Sequence, residues 1–350
     1  MKNSRYILLW FLLAVCGQSC SIIDDDLTNC GQNYMLNYEM RLETNMQTEI
    51  STVLNAESDE MVVEALKKKL APIFSDHAHD VDLSFYSYSE ADLKHHLFEV
   101  IDSNKSSFTF YLPKEEYMHL AVANLQENTI VSLYGAEYSN TAHVKQPAGD
   151  TINSQETGVF SARMPMQVVD TIDQVFDVTL YMINSAVALV IDTTGYSGHV
   201  IEAYTEGTAS DFFVKDSLYL FASPSLIRGE EVIVDEVAQG VPGMKRVGGK
   251  KHSPQACFTT VNLPSRDEAD ADGVYWRMKA YVRLTDGTIT ENLLTVKEPL
   301  RAGQLKVLKM QLQENGKLVP VVSTNIGVSI TLDWKQGNEY EPWLGVAGRK

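Results

Sequence analysis

Cysteine is scarce: the chain has four in 350 residues, and two of them fall within the first twenty positions. So few cannot staple a small scaffold, and the fold must rest on a hydrophobic core. Positive charge is also short, with 29 Lys and Arg against 46 Asp and Glu, a formal net charge of −17. Such a surface repels phosphate backbones, so no nucleic-acid partner is expected. It offers no electrostatic attraction to an anionic membrane either, and attachment there would need a lipid. The apolar run Tyr6–Val15 has only ten residues, about half of the roughly twenty that a spanning helix requires.

Motifs that carry chemistry are missing too. Gly195-Tyr196-Ser197-Gly198 has the wrong spacing for a nucleophile elbow, and neither a phosphate loop nor a dinucleotide fingerprint occurs. The carboxylates are too scattered to nominate a glycosidase pair. His77, His79, Asp80 and Asp82 form a compact polar cluster, with His95 and His96 further on. Two histidines at i, i+2 on a strand could face one metal, but Asp80–Asp82 reads equally well as a solvated turn, and no second ligand pair has diagnostic spacing. Glu268-x-Asp270-x-Asp272-Gly273 imitates the opening of a calcium loop, yet Lys279 stands where its twelfth residue should be a glutamate, so a polar turn is expected. No catalytic residue, metal or cofactor is nominated.

What is present begins with Lys2 and Arg5, the apolar run, then Cys16 and Cys20. A short basic start before about ten apolar residues is the make-up of an export signal. A cysteine just beyond it suggests a lipoprotein, cut before a cysteine that receives acyl chains such as palmitate. Cys20, preceded by the small Ser19 and followed by Asp24–Asp26, is the preferred lipidation site. Cys16, preceded by the bulkier Val15, is the alternative, and a plain secreted protein is the remaining reading. Loss of Lys2 and Arg5 with the leader takes the charge from −17 to −19. Cys30 and Cys257 are then left, 227 positions apart, and are expected to be unpaired or buried.

The mature chain reads mainly as strands. Tyr34, Leu36, Tyr38, Met40 and Leu42 alternate with mostly polar residues, the period of a half-buried strand. One helix follows, capped by Asp59, with Met61, Val62, Ala65, Leu66 and Leu70 on its apolar face. Lys67–Lys69 complement its dipole and Pro72 helps to stop it. Strand patterns recur at Val81–Tyr88, Phe108–Leu112, Leu120–Asn124, Ile130–Tyr134, Val159–Met166 and from Val175, with a polar loop over Tyr138–Thr157. Others lie at Ala186–Ile191, His199–Thr205, Ser217–Ala222, Ala256–Leu263, Val274–Thr285 and Thr288–Val296. The last are Leu305–Leu312, Leu318–Val322 and Ser329–Trp334. Asp286-Gly287 and Asn315-Gly316 are hairpin turns. The loop with Lys245, Arg246, Lys250, Lys251 and His252 reads as a protease-sensitive surface segment. Many short strands with frequent turns predict two β-sandwiches. The expected division is a signal peptide at 1–19, a lipidated tether at 20–32, sandwiches at 33–168 and 169–344, and a disordered tail at 345–350.

Several ordered segments resemble the FimB/Mfa-like fimbrial anchor lipoproteins of Bacteroides-type bacteria. They are Cys20–Cys30, Tyr38–Asn45, Tyr117–Asn124, Phe160–Met166, Val187–Asp192 and Val328–Trp334, and together they span the mature chain. The resemblance implies two transthyretin-like sandwiches and a lipid-anchored, surface-exposed place on the outer membrane at the base of a fimbria. The implied partners are fimbrial shaft or accessory subunits, joined by strand contact. In shaft subunits of that family an arginine-specific protease is thought to remove the first strand. A cut at Arg41 here would free the body from its lipid, so the strand bearing Leu36, Tyr38, Met40 and Leu42 is expected to be retained. Polymer contact is then expected from Leu318, Val319, Val321, Ser329, Ile330, Leu332 and Trp334. The resemblance also suggests O-glycosylation at Thr151, Thr171, Thr193 or Ser217. A fimbrial accessory subunit or adhesin is the nearest alternative. A glycan-binding lipoprotein, which would need an exposed aromatic platform, is the next, and an enzyme is the least favoured.

Overall fold

A computed structural model describes residues 33–43, 60–71, 73–74, 78–101, 107–126, 128, 130–170, 174–196, 198–222, 226–234, 255–321 and 328–335. The expected signal, tether and tail lie outside these residues, as do Cys16, Cys20, Cys30, Asp59, Pro72, His77, Thr171 and the basic loop 245–252. The elements of the first half are β1 (Asn33–Glu43), α1 (Glu60–Leu70), β2 (Asp80–Ser87), β3 (Leu93–Val100), β4 (Ser107–Pro113), β5 (Glu116–Ala123), β6 (Ser132–Tyr134), β7 (His143–Lys145), β8 (Thr151–Asn153), β9 (Phe160–Gln167) and β10 (Gln174–Met182). Those of the second are β11 (Ser185–Asp192), β12 (His199–Glu206), β13 (Asp211–Phe213), β14 (Leu218–Leu220), β15 (Leu226–Arg228), β16 (Glu230–Glu231), β17 (Gln255–Asn262), β18 (Trp276–Arg283), β19 (Ile289–Val296), β20 (Leu305–Leu312), β21 (Leu318–Pro320) and β22 (Val328–Lys335). The protein is mainly β, as its sequence indicates.

Side-chain alternation sorts these strands into layers. In β2, Val81, Leu83 and Phe85 point into one core, while Tyr86 is buried on the other side. In β5, Tyr117 and Ala121 face the first core while Leu120 and Val122 face the other. Both strands belong to a seven-stranded sheet of order β3-β2-β5-β9-β10-β1-β4. A four-stranded sheet, β14-β13-β7-β6, packs over Tyr86, Leu120 and Val122. The second sandwich stacks a five-stranded sheet, β16-β17-β11-β20-β21, on a six-stranded one, β22-β19-β18-β12-β15-β8. Its core holds Val187, Leu189, Ile191, Leu308, Met310, Met278 and the fully buried Trp276. The opposite face of β11, with Ala186, Ala188 and Val190, joins the first core, so the two sandwiches share apolar contacts.

The halves are also joined through backbone pairing. β7 from the first half pairs with β13 from the second, and β8 runs parallel to β15. Both β7 and β8 fall inside the stretch expected to be a loop. They are three residues each, and although β7 also pairs with the nearby β6, the partners that tie them to the second half, β13 and β15, lie more than sixty positions away, so local pattern does not announce them. β3 was likewise not foreseen. β10, which the sequence division put at the start of the second sandwich, is hydrogen-bonded between β9 and β1 in the first.

Among the described residues α1 is the one helix of this length. Val62, Leu66 and Leu70 are buried as expected, but Val63 rather than Met61 completes the inner face. Lys69 at its basic end forms an ion pair with Glu230. No helix among the described residues is long and apolar enough to cross a membrane. Both expected hairpin turns are present, with Gly287 at φ +87° and Gly316 at φ +78°.

Candidate functional site

Asn33, where the described body starts, follows Cys20 by thirteen positions. From there β1 runs as an interior strand. It pairs in parallel with β10, from Leu36 opposite Gln174 to Glu43 opposite Tyr181, and antiparallel with β4, from Asn33 opposite Pro113 to Glu39 opposite Ser107. Leu36, Tyr38 and Met40 are buried, Leu42 is half-buried against the same core, and Arg41 faces solvent. Burying three such side chains contributes roughly 5 kcal/mol or more, comparable with the whole net stability of a typical domain.

Tyr38 is the centre of this arrangement. Its hydroxyl lies 2.8 Å from His119 Nε2, and His119 Nδ1 lies 3.1 Å from the Ser84 carbonyl oxygen. A carbonyl can only accept, so Nδ1 carries the proton and Nε2 accepts from Tyr38. Phe85 stacks on the imidazole with ring centroids 4.4 Å apart, and Phe108 and Phe110 surround the tyrosine. Burial pulls the His119 pKa down to about 4, so the ring is neutral at ordinary pH. Burial likewise pushes the Tyr38 hydroxyl well above its usual range. His119 sits within a segment that the sequence resemblance covers, but its partner lies in another strand, and nothing local to it signals the pairing.

The C-terminal segments lie at two sheet edges. β21 is the edge of the five-stranded sheet, with Leu318 buried, Val319 opposite Gln311, and the Val321 amide donating to the Lys309 carbonyl. β22 is the edge of the six-stranded sheet, paired along its length with β19 from Val328 opposite Val296 to Lys335 opposite Ile289. Ser329, Ile330, Leu332 and Trp334 therefore occupy register positions opposite Thr295, Leu294, Asn292 and Thr290.

Of the residues singled out for modification, Thr151 is exposed on β8, Thr193 is half-buried after β11, and Ser217 is exposed in the turn between β13 and β14. The polar cluster has structural partners. Asp80 is buried and accepts the amides of Leu125 and Gln126 at 2.9 and 3.0 Å. Asp82 bonds His96 Nε2 at 2.7 Å and the Ser84 hydroxyl at 2.9 Å. Asp270 accepts the amides of Asp272 and Val274 and pairs with Arg277, and these contacts close the turn. Among the described residues no group of three or more His, Cys, Asp or Glu is arranged to hold a metal. Cys257 is free and buried, and burial pushes its thiol up to about 12.

No family model matches the chain, and no curated protein matches its sequence. Among solved structures, the chain is similar to the fimbrial anchor protein Mfa2 from Porphyromonas gingivalis, with 10% identity over 87% of this chain and 99% of that one and a TM-score of 0.44. It is similar to a candidate adhesin from Bacteroides thetaiotaomicron, with 10% identity over 87% and 97% of the two chains and a TM-score of 0.49. A candidate cell adhesion protein from Parabacteroides distasonis shares 9% identity over 87% and 97%, with a TM-score of 0.49.

Proposed function

We propose that this protein is a surface lipoprotein that holds the base of a fimbria to the outer membrane. The observation that carries the reading is the place of β1. A lipid on Cys20 would be joined through thirteen positions of chain to a strand bonded on both sides and packed by Leu36, Tyr38 and Met40. Tension on the lipid would pull along β1 and load both ladders in shear, so many hydrogen bonds would resist together. Keeping the strand in place gives a firm mooring, whereas removing it would free the body.

The shaft would then be engaged at the other end of the chain, through the edge strands β21 and β22. Edge strands present unpaired backbone groups and accept a further strand from another subunit. Acyl labelling of cells that make the wild-type, Cys16→Ser and Cys20→Ser proteins tests the attachment. Label lost only from Cys20→Ser, with the protein shifting from the outer-membrane fraction to the soluble one, is the expected result. Label retained by both variants would refute it.

A further inference from the structure

The four-stranded sheet covers the outer face of the seven-stranded sheet over β2 and β5, but this cover ends towards β10, where Val175 and Tyr181 are 59% and 58% exposed. At the step lies a cleft of about 400 Å³, within the usual range for small-molecule sites. Ser161 and Arg163 from β9, Thr179 and Tyr181 from β10, and Ser217 and Tyr219 from the β13–β14 hairpin form its walls. Three features fix its shape. Arg163 Nη1 donates to the Lys215 carbonyl at 2.6 Å, which holds the guanidinium across the gap. The Tyr219 hydroxyl donates to the Ile183 carbonyl at 2.8 Å, and its ring packs against Phe212 with centroids 4.8 Å apart. Ser217 is held at φ +51°, a left-handed conformation that a residue with a side chain rarely adopts and that often marks a functional site.

The lining is chemically one-sided. Among the described residues it combines a guanidinium, several hydroxyl groups and aromatic rings, and no carboxylate, in a chain whose net charge is −17. We infer that the cleft binds an anionic saccharide unit, a pyranose that carries a carboxylate. The apolar face of the sugar lies on the Tyr181 ring, its carboxylate meets Arg163, and its hydroxyls reach Ser161, Thr179 and Ser217. β9 and β10 pair with each other only at Tyr181 opposite Ser161 and Met182 opposite Phe160 and part from there. What favours a saccharide over an extended peptide is therefore the lining itself: the Arg163 guanidinium, the hydroxyls and the exposed Tyr181 ring.

The inference does not depend on the anchoring role and is tested apart from it. The mature chain with Cys20→Ser is titrated calorimetrically with tetragalacturonate and with its carboxyl-reduced counterpart. Saturable binding of the acidic tetramer is expected, with the reduced form about tenfold weaker or more for loss of one charge-assisted contact. Arg163→Ala should erase that difference, and Tyr181→Ala, at an exposed ring, should weaken both sugars. Arg163→Gln, which keeps a donor for the Lys215 carbonyl, separates loss of charge from loss of local structure and should also erase the difference. Absence of saturable binding, equal affinity for the two sugars, or affinities unmoved by these variants would overturn the inference.

Discussion

Tyr38 in the first strand and His119 in the fifth, 81 positions apart, meet through a 2.8 Å hydrogen bond with neither residue open to solvent. The neutral ring accepts this bond at Nε2, and burial opposes charging it. This makes the seating of β1 sensitive to acid.

The sign follows from the depressed pKa of about 4 in the folded protein. Above about pH 6.5 the ring is neutral in both states and contributes no pH dependence. As pH falls below that, the unfolded chain takes up the proton first, and stability drops by about 3 kcal/mol in all before the folded ring titrates. Urea unfolding at pH 7.5 and pH 4.5 should show a larger loss for the wild-type protein than for His119→Gln. Equal losses would exclude His119 as the source.

Two hairpin glycines should respond differently to alanine. At Gly287 a Cβ would meet nothing within 4 Å, so Gly287→Ala bears only the left-handed penalty, about 1–2 kcal/mol. At Gly316 the Cβ would lie 2.7 Å from Thr290 Oγ1, whose hydroxyl donates to the Gly316 carbonyl. Gly316→Ala should therefore cost about 1–3 kcal/mol more than Gly287→Ala, read as the difference in unfolding midpoint.

Arg41 faces solvent, yet it lies in a strand paired with β10 and packed from beneath. A protease needs the strand opened, and that opening approaches the free energy of unfolding. Limited trypsin digestion of the folded protein should not release a fragment that starts at Leu42. Early appearance of that fragment would show that β1 leaves the sheet readily.

The pairings of β7 with β13 and of β8 with β15 tie the two sandwiches together, as does the core they share. Calorimetry should therefore give one main heat absorption peak. Two well-separated transitions would mean that the halves unfold independently.

Legibility in the sequence followed the physics of each element. β1 was readable because one of its faces is buried and the other is not, so Leu36, Tyr38 and Met40 stand out against Asn37, Glu39 and Arg41. Asp286-Gly287 and Asn315-Gly316 were readable because few dipeptides accept positive φ. β7, β8 and β13 were not, since three residues carry no period and the pairings of β7 with β13 and of β8 with β15 join segments distant in sequence. The cleft was hidden for a similar reason. Ser161, Thr179 and Ser217 are ordinary hydroxyls until the fold sets them around Arg163. His119 carried no mark either, because its meaning lies in Tyr38.

The most direct test of the anchoring account is deletion of the gene in the native host, with fimbrial protein measured on cells and in the medium. The account predicts that fibres are shed into the medium, and that they are retained again when the wild-type gene is restored but not when Cys20→Ser is. Fibres that remain attached in the deletion strain, in unchanged amount, would contradict it.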